Sequence, residues 1–400
     1  MKHIAYLKNT IQEYAWGSHS AIAELLGQRM PASRPQAELW MGAHPKAPSY
    51  VATEDGYRSL AALIAAYPTE ILGSETVHRF NHQLPFLFKV LAAAKPLSIQ
   101  AHPDRNWADK GFDREEKLGI PMDAPERNYK DRQHKPECIC ALTDFWGLCG
   151  FRRIDTMVGL LQRLCPATLK KELDIFSHDD PQAALKSFFS RLLARSTNEK
   201  VEIVTEACDQ AGRSHSDDAT FEWVSRLNST YPLDIGIIFP AVLNLVHLKT
   251  GQALYMQPGE LHAYLDGVGI EIMANSDNVL RGGLTPKHID GAELMRILIF
   301  EEKRIDILEP EPQADGAGVY KTPAREFELS VILLKNGASY RSSDKRSVEI
   351  LLCTTGQHRI KPDGRAEATA LVQGQSVLIP AAESPYVIQG QGTIYKASVP

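Results

Sequence analysis

Short runs of alternating apolar and polar residues cover most of the chain, and this period of two is typical of β-strands. From residue 1 to about 151 the runs are separated by turn residues. Two stretches with helical spacing, 20–27 and 59–67, interrupt them. Strand-like alternation returns at Leu233 and continues to the last residue. The pattern therefore predicts a mainly β protein.

The middle of the chain has a different period. From residue 152 to 231 apolar residues recur at helical spacing, most clearly after Asp180-Pro181, which is a cap followed by proline at the first helical position. Ser196 and Glu199 form a capping box at the start of another helix. No side chain with evident chemistry stands out here, so we interpret 152–231 as an all-α domain inserted into the β-structure.

The C-terminal part, 319–400, consists of short strands with glycine turns at regular spacing, as in a sandwich or jelly roll. Its segment GQSVLIPAAESPYVIQG (374–390) echoes GQALYMQPGELHAYLDG (251–267). No histidine follows the proline of the second copy. We therefore predict a catalytic domain formed by 1–151 and 232–318, and a C-terminal jelly roll, 319–400, that binds no metal.

Composition is ordinary for a globular protein of this length. The 400 residues are 44% hydrophobic and 23% charged, with a net charge of −5 and no basic block, so nothing favours nucleic acid or a membrane surface as a partner. The N-terminus has no apolar signal core, and no run reaches transmembrane length. We therefore expect a cytoplasmic protein.

The candidate chemistry begins at two segments that read as strands, PLSIQAHPD and HKPECICAL. Alternation places Gln100 and His102 on one face of the first, and Glu137 can approach them from the second. Imidazole, carboxylate and carbonyl oxygen together form a plausible ligand set for a divalent metal. Cys138 and Cys140, with Cys149, allow a zinc cluster on paper, but small buried apolar residues of a strand explain them better.

A third stretch, YMQPGELHAYLDGVGIEIMANSDNVLRGGLTPK (255–287), contains a Pro-Gly-x-x-His unit that ends at His262. This unit, preceded by Gly251, resembles the second metal motif of the cupin superfamily, in which a small β-barrel holds a metal at its mouth. His262 then completes a set of four ligands with Gln100, His102 and Glu137.

The resemblance extends to a family. HAYLDGVGIEIMANSDNVLRGGLTPK is similar over almost its full length to the signature of type I mannose-6-phosphate isomerases, and YKDRQHKPE is similar to the family's other signature. Gln133 replaces an asparagine of the second signature, and Gly282 stands where the family usually has alanine. QEYAWGS, AELWMGAHP and LPFLFKVL are further family-like runs. The likeness reaches from the first strand to about Lys287.

This resemblance implies a cupin-type catalytic domain with one zinc ion per chain. It further implies interconversion of mannose 6-phosphate and fructose 6-phosphate through an enediol, a reaction that links mannose metabolism and GDP-mannose supply to glycolysis. It assigns Arg281, in the loop NVLRGG, as a catalytic residue that stabilises the enediolate. The expected partner is a small sugar phosphate, and the expected state is a monomer.

The acid/base is left open among Lys135, His134 and Asp277. Lys135 shares strand parity with Glu137, so it points to the metal side and either carries protons or binds substrate. Asp277 acts as the base or only orients Arg281. For the phosphate we predict Lys89 and Ser98, helped by Lys135 or Arg281. Lys89 interrupts an apolar strand, which is explained either by an edge position or by an inward charge for an anion.

Other functions agree less well with these residues. A related metal-dependent sugar-phosphate isomerase or epimerase is the nearest alternative. A sugar-binding cupin without turnover would not require Arg281 beside an open metal position. Iron-dependent dioxygenases of this superfamily favour sites richer in histidine.

Overall fold

Two large antiparallel sheets and a helical insertion make up the chain, as a computed structural model shows for residues 3–53, 56–177, 180–214, 218–335 and 337–400. One sheet has ten strands and the other eleven. The prediction of a mainly β chain interrupted by helices is therefore confirmed. In the described residues no helix is both long and apolar enough to span a membrane.

The strands, in chain order, are β1 Ala5–Lys8, β2 Thr10–Gln12, β3 Glu38–Gly42, β4 Tyr50–Thr53, β5 Gly56–Ser59, β6 Phe86–Ala93, β7 Ile99–Ala101, β8 Glu137–Ala141, β9 Phe145–Phe151, β10 Leu243–Leu248, β11 Ala253–Met256, β12 His262–Ala274, β13 Leu280–Gly283, β14 Glu311–Pro312, β15 Ala317–Tyr320, β16 Glu328–Leu334, β17 Ser339–Arg341, β18 Glu349–Pro362, β19 Thr369–Val372, β20 Ser376–Ile379 and β21 Tyr386–Ser398.

The α-helices, in chain order, are α1 Ala21–Leu25, α2 Leu60–Ala66, α3 Pro68–Leu72, α4 Ser74–Arg79, α5 Arg105–Lys117, α6 Ile154–Leu164, α7 Lys170–Leu173, α8 Pro181–Ala194, α9 Thr197–Arg213, α10 Ala219–Thr230, α11 Phe239–Val242 and α12 Gly291–Ile297. Two short 3₁₀ helices, Asp174–Ser177 and Ile235–Ile238, lie among them.

The ten-stranded sheet runs β10-β9-β12-β6-β3-β2, with β7, β8, β11 and β13 paired beside this path. Strand β12 is its hub, because it pairs with β6, β7, β8 and β9. A β-bulge in β12 between Tyr264 and Asp266 adds one residue relative to β9. Such a bulge reverses the side-chain alternation, so that His262 and Glu271 lie on the same face of the sheet.

The eleven-stranded sheet contains the C-terminal strands, as expected for 319–400, but also three from the start of the chain. Strand β1 pairs with β20 on one side and β4 on the other, and β5 completes this edge. One apolar core lies between the two sheets, where Phe88 and Ile272 of the first are in the same cluster as Ile350 and Leu378 of the second. The predicted domain boundaries stay a prediction, since sheet pairing crosses them.

Helices fill the insertion between β9 and β10. The predicted caps are present: the Asp180 carboxylate accepts from the Ala183 amide, and Ser196 and Glu199 form a capping box. The expectation that β-structure resumes at Leu233 is wrong, because helical turns continue to Val242. The Asp234 side chain accepts a hydrogen bond from the Gly236 amide at 2.7 Å and so begins these turns.

Candidate metal centre

Three strand ends bring the predicted ligands together. Gln100, in β7, lies directly opposite His262 of β12 and Arg281 of β13. His102 directly follows the last residue of β7, and Glu137 is the first residue of β8. Because neighbouring strands start or end at this point, His102 and His262, which are 160 positions apart in the sequence, meet at one place.

His102, Glu137 and His262 form the core of the site. Each offers one ligand atom, and these atoms lie within 4.8 Å of one another. His102 Nε2 is 3.3 Å from Glu137 Oε1, and His262 Nε2 is 3.2 Å from Glu137 Oε2. All three side chains are buried, yet within the described part of the chain His102 Nε2, Glu137 Oε2 and His262 Nε2 have no hydrogen-bond partner. Buried polar atoms are normally paired, so three such atoms that converge on one point fit a metal ion.

The outer nitrogens of both imidazoles are engaged. His102 Nδ1 lies 2.6 Å from the carbonyl oxygen of Asn278, and His262 Nδ1 lies 3.0 Å from that of Glu260. A carbonyl accepts, so Nδ1 carries the proton and Nε2 presents a lone pair to the centre. Metal-binding histidines are held in this way.

The charges at the centre also match a cation. Burial, together with the charge of Lys135, lowers the pKa of His102 to about 4, which keeps its imidazole neutral. Burial alone would raise the pKa of Glu137, but Lys135 and His102 outweigh it and hold that pKa well below its usual value. Two imidazoles and a carboxylate face one point, and this donor set fits a divalent ion such as zinc.

A network of hydrogen bonds fixes two loops beside the centre, residues 130–133 and 276–278. The Asn278 side chain is fully buried; its oxygen accepts from the Lys130 and Asp131 amides, and its nitrogen donates to the carbonyl oxygens of Asp131 and Gln133. The Asp131 carboxylate accepts in turn from the Ser276 hydroxyl at 2.9 Å. The two signature stretches are thus locked together, and the Asn278 carbonyl is aimed at His102.

Cations surround the open side of this loop. Arg281 is half-buried, and among the described residues its guanidinium has no carboxylate partner. Burial and the charges of Arg281 and Lys130 lower the pKa of Lys287, while burial and the charge of Lys46 lower that of Lys130. The positive charges of Arg281, Lys287, Lys130 and Lys46 therefore lie close enough to repel one another. An anion among them stabilises their charged forms.

Asp277 lies among these cations as a carboxylate. Its Oδ2 is 2.9 Å from Lys46 Nζ and its Oδ1 is 3.5 Å from His44 Nε2. Burial alone would raise the pKa of Asp277, but these two partners outweigh it and lower the pKa far below its usual value. Asp277 therefore stays ionised and binds a proton weakly.

A second buried charge cluster lies on the same face of the sheet. Lys89 Nζ is 2.7 Å from Glu271 Oε2 and 3.5 Å from Glu38 Oε1. Trp40 donates its ring N–H to Glu38 and places its ring 5.4 Å from Lys89 Nζ. Burial raises the pKa of Glu271, although Lys89 opposes the shift. This carboxyl therefore takes up a proton more readily than an exposed one.

Comparison with known proteins places the chain in a family. The type I phosphomannose isomerase catalytic domain matches residues 4–154, and the helical insertion domain of the same family matches residues 160–243. Mannose-6-phosphate isomerase from Escherichia coli (strain K12) is 40% identical over 394 residues, which cover 97% of each chain.

The chain belongs to the type I phosphomannose isomerase family.

Solved structures of family members have the same fold. A mutant of phosphomannose isomerase from Salmonella typhimurium superposes with a TM-score of 0.92 at 37% identity and covers 99% of both chains. A zinc-bound mannose 6-phosphate isomerase superposes with a TM-score of 0.89, also at 37% identity and 99% coverage of both chains. The family resemblance inferred from the two signature stretches is thereby confirmed.

Some of the site residues predicted from sequence lie at the centre, and others lie away from it. His102, Glu137 and His262 surround one point, and Lys135 Nζ lies 3.0 Å from Glu137 Oε1. Gln100 lies opposite both His262 and Arg281 in the sheet, and its role as a ligand stays a prediction. His134 is not brought to the centre, because alternation turns it away and its Nε2 lies 2.8 Å from Glu326 Oε1 of the C-terminal part. Ser98 precedes β7 and is half-buried.

Two other predictions are also located. Lys89 points inward and not to an edge, but its ammonium is already paired with two carboxylates, so its role as a phosphate contact stays a prediction. Cys138 and Cys140 are buried alternating residues of β8, and the metal-like group of the described residues contains no cysteine. The interpretation of both as apolar core residues agrees with this placement.

Sequence reasoning missed Lys46, Lys130 and Lys287. It also missed Glu38 and Glu271, the two carboxylates that pair with Lys89. A signal was present for most of them, since Lys130 and Lys287 lie inside the two signature stretches and Lys46 follows AELWMGAHP. Glu271 lies in the same signature as His262 but nine positions later, where strict alternation would turn it to the opposite face. Only the bulge in β12 brings it to the same side.

Proposed function

We propose that this chain interconverts D-mannose 6-phosphate and D-fructose 6-phosphate through an enediol, with zinc bound by Gln100, His102, Glu137 and His262. The observation that carries the proposal is the set of three buried ligand atoms that have no hydrogen-bond partner among the described residues, beside four cations that share the single carboxylate of Asp277. A metal ion would pair with the three ligand atoms, and an anion would pair with the cations. A sugar phosphate supplies the anion together with the hydroxyl and carbonyl oxygens that face the metal side.

The family relatives support the choice of metal and substrate. One solved relative is described as zinc-bound, and curated relatives are mannose-6-phosphate isomerases. When bound, zinc supplies a Lewis acid that polarises a sugar oxygen. Gln100 would add a neutral carbonyl oxygen, leaving the site with a net charge of about +1 from the ion and one carboxylate.

Arg281 stabilises negative charge on the sugar oxygens. Aldose–ketose isomerisation moves a proton between C1 and C2, and negative charge develops on the adjacent oxygens. Arg281 is a permanent cation with five N–H donors. Because its guanidinium is half-buried and has no carboxylate partner in the described part of the chain, its charge is available to the substrate.

Lys287, Lys130 and Lys46 bind the phosphate, with Ser98 and Lys135 closer to the metal. Burial and the nearby positive charges lower the pKa of Lys287 and of Lys130, so a dianion placed among them is stabilised. Asp277 holds Lys46 at 2.9 Å and thereby places it. The ends of the sugar then point in opposite directions, with phosphate at the lysines and C1–C2 at the metal.

Glu271 is the proton carrier that the charges favour. A base for C–H abstraction works best when its pKa lies near the working pH. The pKa of Glu271 is raised by burial, whereas that of Asp277 is lowered far below the usual value. Lys89 pairs with Glu271 and favours its carboxylate form. Lys135 remains the second candidate, since its ammonium contacts Glu137 at 3.0 Å.

The domain interpretation extends this proposal. Residues 1–151 and 232–318 form a cupin-type barrel that contains the site, 152–231 form the inserted helical domain, and 319–400 form a jelly roll without metal or catalysis. In support, helices α6 to α10 lie between β9 and β10, and strands β16 to β21 all belong to the eleven-stranded sheet. The reaction connects mannose metabolism and GDP-mannose supply with glycolysis.

A coupled assay for fructose 6-phosphate tests the proposal. We expect turnover on mannose 6-phosphate and much lower kcat/KM on free mannose, which lacks the phosphate that the lysines bind. In D₂O, an enediol route that exchanges its proton with solvent places deuterium in the product. Rapid metal-dependent turnover of another sugar phosphate, with none of mannose 6-phosphate, would contradict the substrate assignment and favour a related isomerase or epimerase.

A further inference from the structure

The residues that precede His262 form a turn, 257–261, between β11 and β12, which we call the ligand turn. Its Glu260 carbonyl lies 3.0 Å from His262 Nδ1, so the orientation of this turn sets the orientation of the imidazole. Gly259 has φ of +86°, and a side chain there would meet the Ile297 carbonyl oxygen at 2.9 Å. The turn is therefore packed too closely to shift freely.

The Glu260 side chain closes this turn on itself. Its Oε2 accepts from the Gln257 amide at 3.2 Å, and its Oε1 accepts from the Gln257 side-chain nitrogen at 3.1 Å. Glu260 is buried, with 8% of its surface exposed. A buried carboxylate needs a cation as well as these neutral donors.

Lys303 supplies that cation from outside the ten-stranded sheet. Its ammonium donates to the Glu260 carboxylate and, at 3.2 Å, to the Tyr255 carbonyl of β11. The aliphatic part of Lys303 lies against Gly150, where an added Cβ would be 2.6 Å from Lys303 Cδ. The Lys303 amide also donates to the Phe151 carbonyl at 2.8 Å, so the residue is anchored at both ends.

From this chain of contacts we infer that Lys303 is a positioning residue for the metal centre, acting through Glu260 on the His262 ligand. Lys303 ties the ligand turn to β11, whose Met256 lies opposite the Glu137 ligand of β8. We call Lys303 and Glu260, which together hold the ligand turn, the clamp. The clamp therefore fixes the position of His262 relative to Glu137, although Lys303 contacts neither of these two ligands. The inference rests on the proposed zinc site but not on the identity of the sugar.

Metal affinity is the quantity that the clamp controls. Removing an outer partner of a metal-binding histidine typically weakens metal binding by about 10–100-fold. Lys303→Met keeps the length that packs on Gly150 and removes the charge, whereas Glu260→Gln keeps the shape and removes the acceptor charge. Neither variant removes the Glu260 carbonyl that contacts His262, so we expect the lower end of this range, with zinc bound about tenfold more weakly in each. The double variant should be no weaker than either single one, since both break the same chain of contacts.

The experiment is a competition between the purified, metal-free protein and a chromophoric zinc chelator, with folded fraction checked by circular dichroism. Lys321→Met is the matched control. Lys321 and Lys303 line one cleft of about 430 Å³, but Lys321 is exposed, so we expect Lys321→Met to bind zinc with wild-type affinity. Lys303→Arg should restore most of the affinity, because it restores the cation. Glu260→Gln provides an independent measurement if Lys303→Met does not fold.

The outcomes separate the clamp from the proposed function. Wild-type zinc affinity in folded Lys303→Met or Glu260→Gln would overturn the inference, even with a lower melting temperature. So would additive losses in the double variant. A wild-type chain that binds zinc but does not isomerise mannose 6-phosphate would contradict the proposed function and leave the clamp intact. A wild-type chain that binds no zinc would contradict the metal centre itself.

Discussion

Replacing Lys89 by methionine perturbs a deeply buried ion pair near the candidate site. Lys89 and Glu271 are 6% and 3% exposed, and their charged atoms are 2.7 Å apart. At an effective dielectric constant of 20, this attraction is about 6 kcal/mol, and the Glu38 contact at 3.5 Å adds about 5 kcal/mol. Desolvation offsets most of it, so breaking a buried pair of this kind costs about 3–5 kcal/mol of stability.

The loss should depend on pH in a definite direction. Burial raises the pKa of Glu271, and Lys89 opposes that shift, so its removal raises the pKa further. A carboxyl whose pKa is higher in the folded than in the unfolded state favours folding at low pH, and this contribution is lost as pH rises through the folded value. Lys89→Met should therefore be least stable at high pH and regain stability on acidification, by at most about 1.4 kcal/mol per pH unit.

Urea unfolding from pH 5 to 9 tests the predicted loss of stability and its dependence on pH. Turnover is measured separately on the folded protein. Turnover of Lys89→Met should fall by at least about 100-fold, since the cation that opposes the rise in the Glu271 pKa and favours its carboxylate form is lost. Lys396→Met is a matched control: it removes a buried lysine 3.4 Å from Glu349 in the other sheet, so it should lose stability but keep turnover. A Lys89→Met protein with unchanged turnover, or with stability that increases toward high pH, would refute this reasoning.

Three further substitutions separate the roles within the site. Arg281→Ala should lower kcat by about 10²–10³-fold while zinc per chain stays constant; zinc loss in step with kcat would make Arg281 structural. Lys287→Met should raise KM for mannose 6-phosphate far more than it lowers kcat, as expected for binding that is uniform along the reaction, and equal losses with free mannose would remove it from the phosphate site. Gln100→Glu should hold zinc at least as tightly but turn over more slowly, because an added carboxylate neutralises the Lewis acid; full zinc with unchanged kcat would contradict this.

Part of the candidate site could be predicted from local sequence signals. They pointed to His102, Glu137 and His262, and the structure brings the ligand atoms of these three within 4.8 Å of one another. Lys135 contacts Glu137, as strand parity predicted, and Gln100 lies opposite His262 in the sheet. The helical insertion followed from its period and its caps at Asp180 and Ser196. These features depend on neighbouring residues, so the sequence contains the information they need.

Other features depend on contacts between distant segments. A strand of thirteen residues with strict alternation would separate His262 from Glu271, and only pairing with β9 reveals the bulge that unites them. The addition of β1 to the C-terminal sheet depends on β20, more than 370 positions away. His134 turns to Glu326, which belongs to a part of the chain that the local pattern does not connect with it.

Zinc titration of the metal-free protein tests the central claim most directly. Turnover of mannose 6-phosphate should rise linearly with added zinc and level off at one ion per chain, and His262→Ala should abolish the high-affinity phase. The ligand atoms of His102, Glu137 and His262, within 4.8 Å of one another, predict a single site. Full turnover in protein shown to contain no metal, or a titration unaffected by His262→Ala, would contradict the account.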